Sequence, residues 1–361
     1  MKRFTCPVCA NEVHFENVAC VACGTALAIK PGAFVMQALG DHSGNAASPQ
    51  LPPTLCQNAA AVGCNWLLPE GQVQGFCLAC QHNRGVPDPG YRDNLARWAE
   101  IELAKRKLIY ALIRWNLPHP TRETDPAHGL AFDFLADSRN PDGSMTRIST
   151  GHSDGLITLN LDEGDAVSRA ERRSALDEPY RTVIGHMRHE IGHYYWTLLI
   201  ENAGRQDAFR ALFGDERQDY AQALELHYTN GPPADWAQSH ISAYATAHPW
   251  EDFAETWAHW MHIVDGLETA RAYGIRLESS VAGRSLPDDP YLVTDISGLI
   301  EEWVGLTVAL NNMNRGMGQP DLYPFVLSRP VVAKLNFLNG LIHPEMGIGQ
   351  DALPVSQANA R

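Results

Sequence analysis

The chain has 361 residues, 45% of them hydrophobic and 19% charged, which supplies a packed core, leaves room for two domains and excludes wholesale disorder. Its 28 basic against 42 acidic side chains leave a formal net charge of −14, a field that repels a phosphate backbone, so nucleic acid is not an expected partner. No apolar run reaches the ~20 residues that a membrane span needs, and MKRFTCPVCANEV enters a cysteine pair without an apolar leader, so no membrane partner and a cytoplasmic location are expected.

All eight cysteines precede residue 81. Cys6, Cys9, Cys20 and Cys23 form two CxxC pairs, and each such turn aims two sulfurs at one point, as the knuckles of a zinc ribbon do. Cys56, Cys64, Cys77 and Cys80 make a second set with looser spacing, and pairing across the sets stays open at this stage. In a cytoplasmic chain metal ligation is the better reading than disulfides. Two structural zinc sites in a ribbon or rubredoxin-like domain over residues 1–85 are expected, with iron or a redox role as the minor alternatives. The Gly/Ser/Pro-rich GDHSGNAASPQLPP separates the two sets.

After the hinge-like NRGVPDPGYRDN, NLARWAEIELAKRKLIYALIRW predicts an amphipathic helix. Leu95, Trp98, Ile101, Ala104, Leu108 and Leu112 fall at helical spacing with charges on the other face, and LPHPTRETDP stops it. GLAFDFLADS and GLITLNL read as short strands, with GLITLN as the sheet edge that takes up an extended substrate by main-chain bonds. From Glu178 onward the pattern is mostly helical: one long helix over YRTVIGHMRHEIGHYYWTLLIENA, then ALELHY, PWEDFAETWAHWMHIVDGLETARAYG, SGLIEEWVGLTVALNNMNRGMG and PVVAKLNFLNGLI. Residues 90–345 therefore read as an α+β, mostly helical domain with a small sheet, and residues 346–361 as a flexible tail.

The chemistry concentrates in GHMRHEIGHYYW. His189-Glu190-Ile191-Gly192-His193 is HExxH, which on a helix puts two imidazoles one turn apart on one face with Glu190 beside the ion to take a proton from water. The flanking Val183, Ile184, Tyr194, Tyr195 and Trp196 predict a buried helix, where imidazoles and a carboxylate need compensation. Gly192 inside it costs up to ~1 kcal/mol and suggests a close approach on that face. Downstream, HPWEDFAETWAH sets Glu251 and Glu255 one helical turn apart among Trp250, Phe253 and Trp257. Glu251 is the candidate third ligand of a catalytic zinc, and Glu255 the candidate partner for the free N–H of a ligand histidine. His186 is expected to support the site without ligating, His248 to meet substrate, and His259 and His262 to be core residues. Asp215, Glu216 and Arg217 read as a charge-paired corner.

HExxH followed by a helix carrying ExxxE resembles the gluzincin zinc peptidases, and SAYATAHPWEDFAE resembles those of the lethal-factor type, in which a tyrosine stands seven positions before the glutamate ligand. That resemblance implies a zincin-like fold, His189, His193 and Glu251 as ligands of a catalytic zinc, Glu190 as general base, Tyr244 as transition-state donor and Glu255 behind a ligand. Over roughly residues 1–275 the chain is similar to bacterial zinc-ribbon proteins named as zinc-binding metallopeptidases, through FTCPVCANEVHFENVACVACG, GHSDGLITLN, EPYRTVIGHMRHEIGHYYW, LFGDERQDY and HPWEDFAETWAHWMHI. The expected function is zinc-dependent hydrolysis of a peptide or protein substrate, with one catalytic and two structural zinc ions. The alternative is a ribbon-based interaction protein whose HExxH zinc is structural or vestigial.

Overall fold

A computed structural model describes residues 1–40, 53–91, 93–166, 168, 182–276, 288–294 and 296–343. The expected tail at 346–361, most of the loop after residue 40 and the expected helical start before residue 182 lie outside the described residues.

The cysteine-rich segment is built from two small antiparallel pairs, β1 (Phe4–Thr5) with β2 (Glu12–Val13) and β3 (Leu27–Lys30) with β4 (Val35–Ala38), followed by a single helical turn, α1 (Ala59–Val62). Both knuckles of the first pair close the same way: Ala10 N–H donates to Cys6 O at 2.9 Å and Gly24 N–H to Cys20 O at 2.9 Å. Gly24 sits at φ +73°, where an L side chain would be strained. Phe15, Phe34 and Trp66 form the apolar floor of this segment, and it does not end at the ribbon. Tyr110 packs edge-on against Phe15 and Phe34 with ring centroids 5.9 and 4.4 Å away, so ribbon and helical body share one core. Each such aromatic pair contributes about 0.5–1.5 kcal/mol beyond burial.

Tyr110 belongs to α2 (Asn94–Arg114), which matches the expected helix but not its expected amphipathicity. Ile101, Glu102, Ala104, Lys105, Arg106 and Leu108 to Leu112 are all buried, because the ribbon covers the face that the charges were expected to offer to water. The charges survive burial by pairing: Lys105 Nζ lies 2.9 Å from Glu102, which also accepts from Trp98 Nε1 at 3.1 Å and Asn83 Nδ2 at 2.6 Å.

A four-stranded sheet follows in the order β5 (Asn83–Gly85), β6 (Ala131–Leu135), β10 (Leu156–Asn160), β9 (Gly151–Ser153). The first three are parallel neighbours and β9 is antiparallel to β10. Between β6 and β9 the chain makes a small hairpin, β7 (Ser138–Arg139) with β8 (Met145–Thr146). Two sequence expectations change here. β5 comes from residues assigned to the ribbon, yet it pairs with β6 of the helical domain. GLITLN is not an edge: β10 is paired on both sides, and its alternate residues Ile157 and Leu159 are fully buried. The edge beside it is β9, which also packs on the HExxH helix. The alternation along β10 reports which face is buried, not whether both of its edges are paired, so the interior position is set by its two neighbouring strands.

The HExxH helix is α3 (Val183–Trp196); it begins where Thr182 Oγ1 accepts from Gly185 N–H at 3.0 Å and runs into a π-turn over Thr197–Glu201. Then come α4 (Gln206–Phe213), α5 (Tyr220–Asn230), α6 (Pro249–Ala272), α7 (Ile296–Gly316) and α8 (Arg329–Ile342). α3 crosses α6 at Gly192, where a Cβ would lie 2.9 Å from Ala254 Cα and 3.1 Å from Trp257 Cβ. The expected close approach on this face is therefore a helix backbone. Gly192→Ala should force the helices apart and cost about 1–3 kcal/mol, read as a lowered Tm. Gly340 in α8, with open space at its Cβ, is the control: Gly340→Ala should hold or raise Tm, since alanine is the better helix former. Equal behaviour of the two variants would refute the packing account. Among the described residues no helix is long and apolar enough to cross a membrane.

Candidate metal centre

α3 presents His189 and His193 on the face toward α6, and the first turn of α6 presents Glu251 to them, where the helix N-terminus favours a carboxylate. His189 Nε2 lies 3.1 Å from His193 Nε2 and 3.0 Å from Glu251 Oε2, and His193 Nε2 lies 3.5 Å from Glu251 Oε1. Ligand atoms at ~2.0–2.1 Å from a tetrahedral zinc stand about 3.3 Å from one another, so the donor set has the size as well as the chemistry of a zinc site. All three side chains are buried, Glu251 to 1% exposure, and such a cluster is costly without an ion to offset it.

The surrounding contacts hold these donors in place. Glu255 Oε1 accepts from His189 Nδ1 at 2.7 Å, which leaves the Nε2 lone pair for an ion; its other oxygen accepts from Ser242 Oγ at 2.6 Å. Glu190 stands beside His186, whose Nε2 is 3.4 Å from Glu190 Oε1 and whose Nδ1 is 3.5 Å from the buried Glu163. Burial pushes the His186 imidazole down, but Glu163 and Glu190 outweigh it and raise it to about 9. Burial likewise works to raise the Glu190 carboxyl, and the histidines around it hold it below its ordinary value. Glu190 is thus kept as a carboxylate. His186 sits behind it and is not part of the ligand cluster.

Tyr244, in a helical turn ahead of α6, lays its ring 5.8 Å from that of His189. Burial, then the Glu251 charge, push its phenol far above its usual value, so it stays a proton donor. His248 goes elsewhere than expected. It caps α6, its Nδ1 accepting from Trp250 N–H at 3.1 Å, and its Nε2 lies 3.3 Å from Gln218 O. Both ring nitrogens are used within the fold and the residue is 3% exposed, so capping replaces the expected substrate contact. His259 is buried against Tyr323 and His262 half-buried against Arg188, and Asp215 and Glu216 pair with Arg217 and Arg210 as a corner.

Sequence reading missed three contributors. Tyr220 donates to Glu251 Oε1 at 2.8 Å from the first turn of α5, Ser242 reaches Glu255, and Glu163 backs His186. Asp219 before Tyr220 is a legible helix cap, since its side chain accepts from Gln222 N–H at 2.9 Å, but nothing local says that the next side chain ends on a carboxylate of another helix. His152 of the edge strand β9 was also unmarked; its ring stacks on that of His193 at 6.4 Å.

The cysteines group as the two expected sets. Sulfur separations are 3.7 Å for Cys6–Cys23, 3.6 Å for Cys9–Cys20, 3.7 Å for Cys64–Cys77 and 3.8 Å for Cys80–Cys64. A disulfide needs ~2.05 Å, which excludes that bond here. A tetrahedral zinc with sulfurs at ~2.3 Å demands about 3.8 Å between them, and both sets meet it.

Two family models match the chain: one described as "Putative zinc-binding metallo-peptidase" over residues 94–341 and one described as a zinc-ribbon domain over residues 3–90. A protein of Mycobacterium bovis and two of Mycobacterium tuberculosis, each named only as uncharacterized, are 41% identical over 343 residues, covering 95% of this chain and 95% of theirs. No solved structure matches.

Proposed function

The chain belongs to the zinc-binding metallopeptidase family with an N-terminal zinc ribbon, and from that premise we propose that it is a gluzincin-type peptidase acting on peptides or proteins. The observation that carries the reading is the convergence of His189 Nε2, His193 Nε2 and the Glu251 carboxylate at zinc-sized separations beside a charged, buried Glu190. A zinc ion held by these three would supply Lewis acidity and lower the pKa of a water it holds to roughly 7.

The chain's own residues divide the remaining work. Glu190 accepts the proton of the attacking water and returns it to the leaving amine, and His186 keeps its carboxylate charged and oriented. Tyr244 donates to the oxygen that gains charge as the carbonyl is attacked. Glu255, itself held by Ser242, fixes the His189 ring. The open side of β9, on the strand that packs against α3, offers main-chain groups to an extended substrate, the part first expected of GLITLN. The two four-cysteine sets complete their coordination within the protein and leave no open position for chemistry.

The test is hydrolysis of a mixed library of unstructured peptides by the purified full chain. Mild chelation should remove one zinc, leave two, and abolish cleavage, and zinc should restore it. A protein that carries three zinc ions and cuts no peptide bond would instead support the interaction-protein alternative.

A further inference from the structure

We propose that Tyr220 is a positioning residue for the metal ligand Glu251, so that helix α5 and the metal site are energetically linked; this rests on the proposed metal centre. α5 has no fully buried residue, and Tyr220 itself is 39% exposed, yet its hydroxyl reaches in to Glu251 Oε1 at 2.8 Å, a carboxylate that is 1% exposed. The placement is built at three points. Asp219 caps the helix and fixes Tyr220 in its first turn. The Tyr220 ring stands edge-on to Trp250 at 5.9 Å and to His248 at 5.2 Å, so two residues flanking the ligand's helix start hold it from the sides. Further along α5, His227 places its ring 5.8 Å from Tyr244 and its Nδ1 3.3 Å from Thr246 Oγ1.

Glu251 needs such a partner. Oε2 faces His189 and Oε1 faces His193, and an ion shared with those imidazoles takes the lone pairs on that side. Among the described residues, Tyr220 is the donor reaching this carboxylate besides the two imidazoles. A hydroxyl on the outer lone pair fixes the carboxylate's rotation and so the direction of the ligating one, and loss of such a partner typically weakens metal binding by about 10–100-fold. Linkage then requires that metal binding stabilise the docked position of α5 by the same factor that docking strengthens metal binding.

The experiment compares Tyr220→Phe with Tyr244→Phe in the full chain, titrating zinc against a competing chelator after the labile ion has been removed. Tyr220→Phe should raise the zinc Kd about 10–100-fold, and its α5 segment should lose the protection from proteolysis that zinc confers on the unaltered protein. Tyr244→Phe should keep Kd within about twofold and lose activity instead, because it acts on substrate. Two zinc ions retained in both variants establish that they are folded. Unchanged zinc affinity in Tyr220→Phe overturns the inference. Failure of the unaltered protein to take up a third ion overturns both the inference and the metal-centre reading, whereas a third ion bound without peptide cleavage leaves the inference standing and defeats only the peptidase.

Discussion

Glu190→Gln should lower kcat by about 10²–10⁴-fold while the zinc content and the Tm stay near those of the unaltered protein. The amide matches the carboxylate in size, so packing within α3 is kept, but it accepts no proton at neutral pH. His189, His193 and Glu251 do not depend on Glu190 for their orientation: His189 is held by Glu255, and Glu251 approaches from the other helix. On the proposed mechanism the remaining rate would come from the Tyr244 hydroxyl and from the Lewis acidity that a bound zinc would supply. Kinetics and zinc content measured on the same sample separate the outcomes. Full turnover in Glu190→Gln would exclude it as the general base, and loss of zinc would mean that it helps to build the site.

The second large effect is on stability. Cys77→Ser should release one zinc and abolish cooperative folding of the whole chain, seen as lost near-UV signal and no thermal transition. All four cysteines of that set are buried, and Cys80 Sγ lies 3.8 Å from Glu102 of α2, so the site stands against the helical body. Structural zinc contributes about 10–16 kcal/mol in small zinc-binding peptides at neutral pH. Total protein stability is about 5–15 kcal/mol, so this loss is large enough to unfold the protein. Cys23→Ser, at the exposed corner of the first set, should melt the ribbon tip and leave a folded body. A Cys77→Ser protein with a normal thermal transition would show that the second set is dispensable.

Much of the candidate site was legible because its signals are local. Cysteine pairs two residues apart and histidines four apart on a helix lie near one another whatever the rest of the chain does, and Glu251 and Glu255 follow the same one-turn rule. The failures share an opposite cause. The charged face of α2 was expected to meet water, and the covering ribbon buried Glu102, Lys105 and Arg106, of which Glu102 and Lys105 pair with each other. β10 looked like an edge until β6 and β9 took its two sides. His248 looked close enough to the site for substrate, and its ring was needed as a helix cap.

By itself, then, the sequence determined the α+β class, the CxxC knuckles and the HExxH pair, the last two each written within a few residues, and it left the grouping of the eight cysteines open. The tertiary structure decided how the cysteines group, which carboxylate meets which imidazole, that Ser242 stands behind Glu255 and Tyr220 behind Glu251, and that β9 rather than β10 ends the sheet on that side. Those contacts join residues on separate elements. The carboxylate–imidazole contacts depend on how α3 and α6 cross at Gly192, and no periodicity along the chain records a crossing.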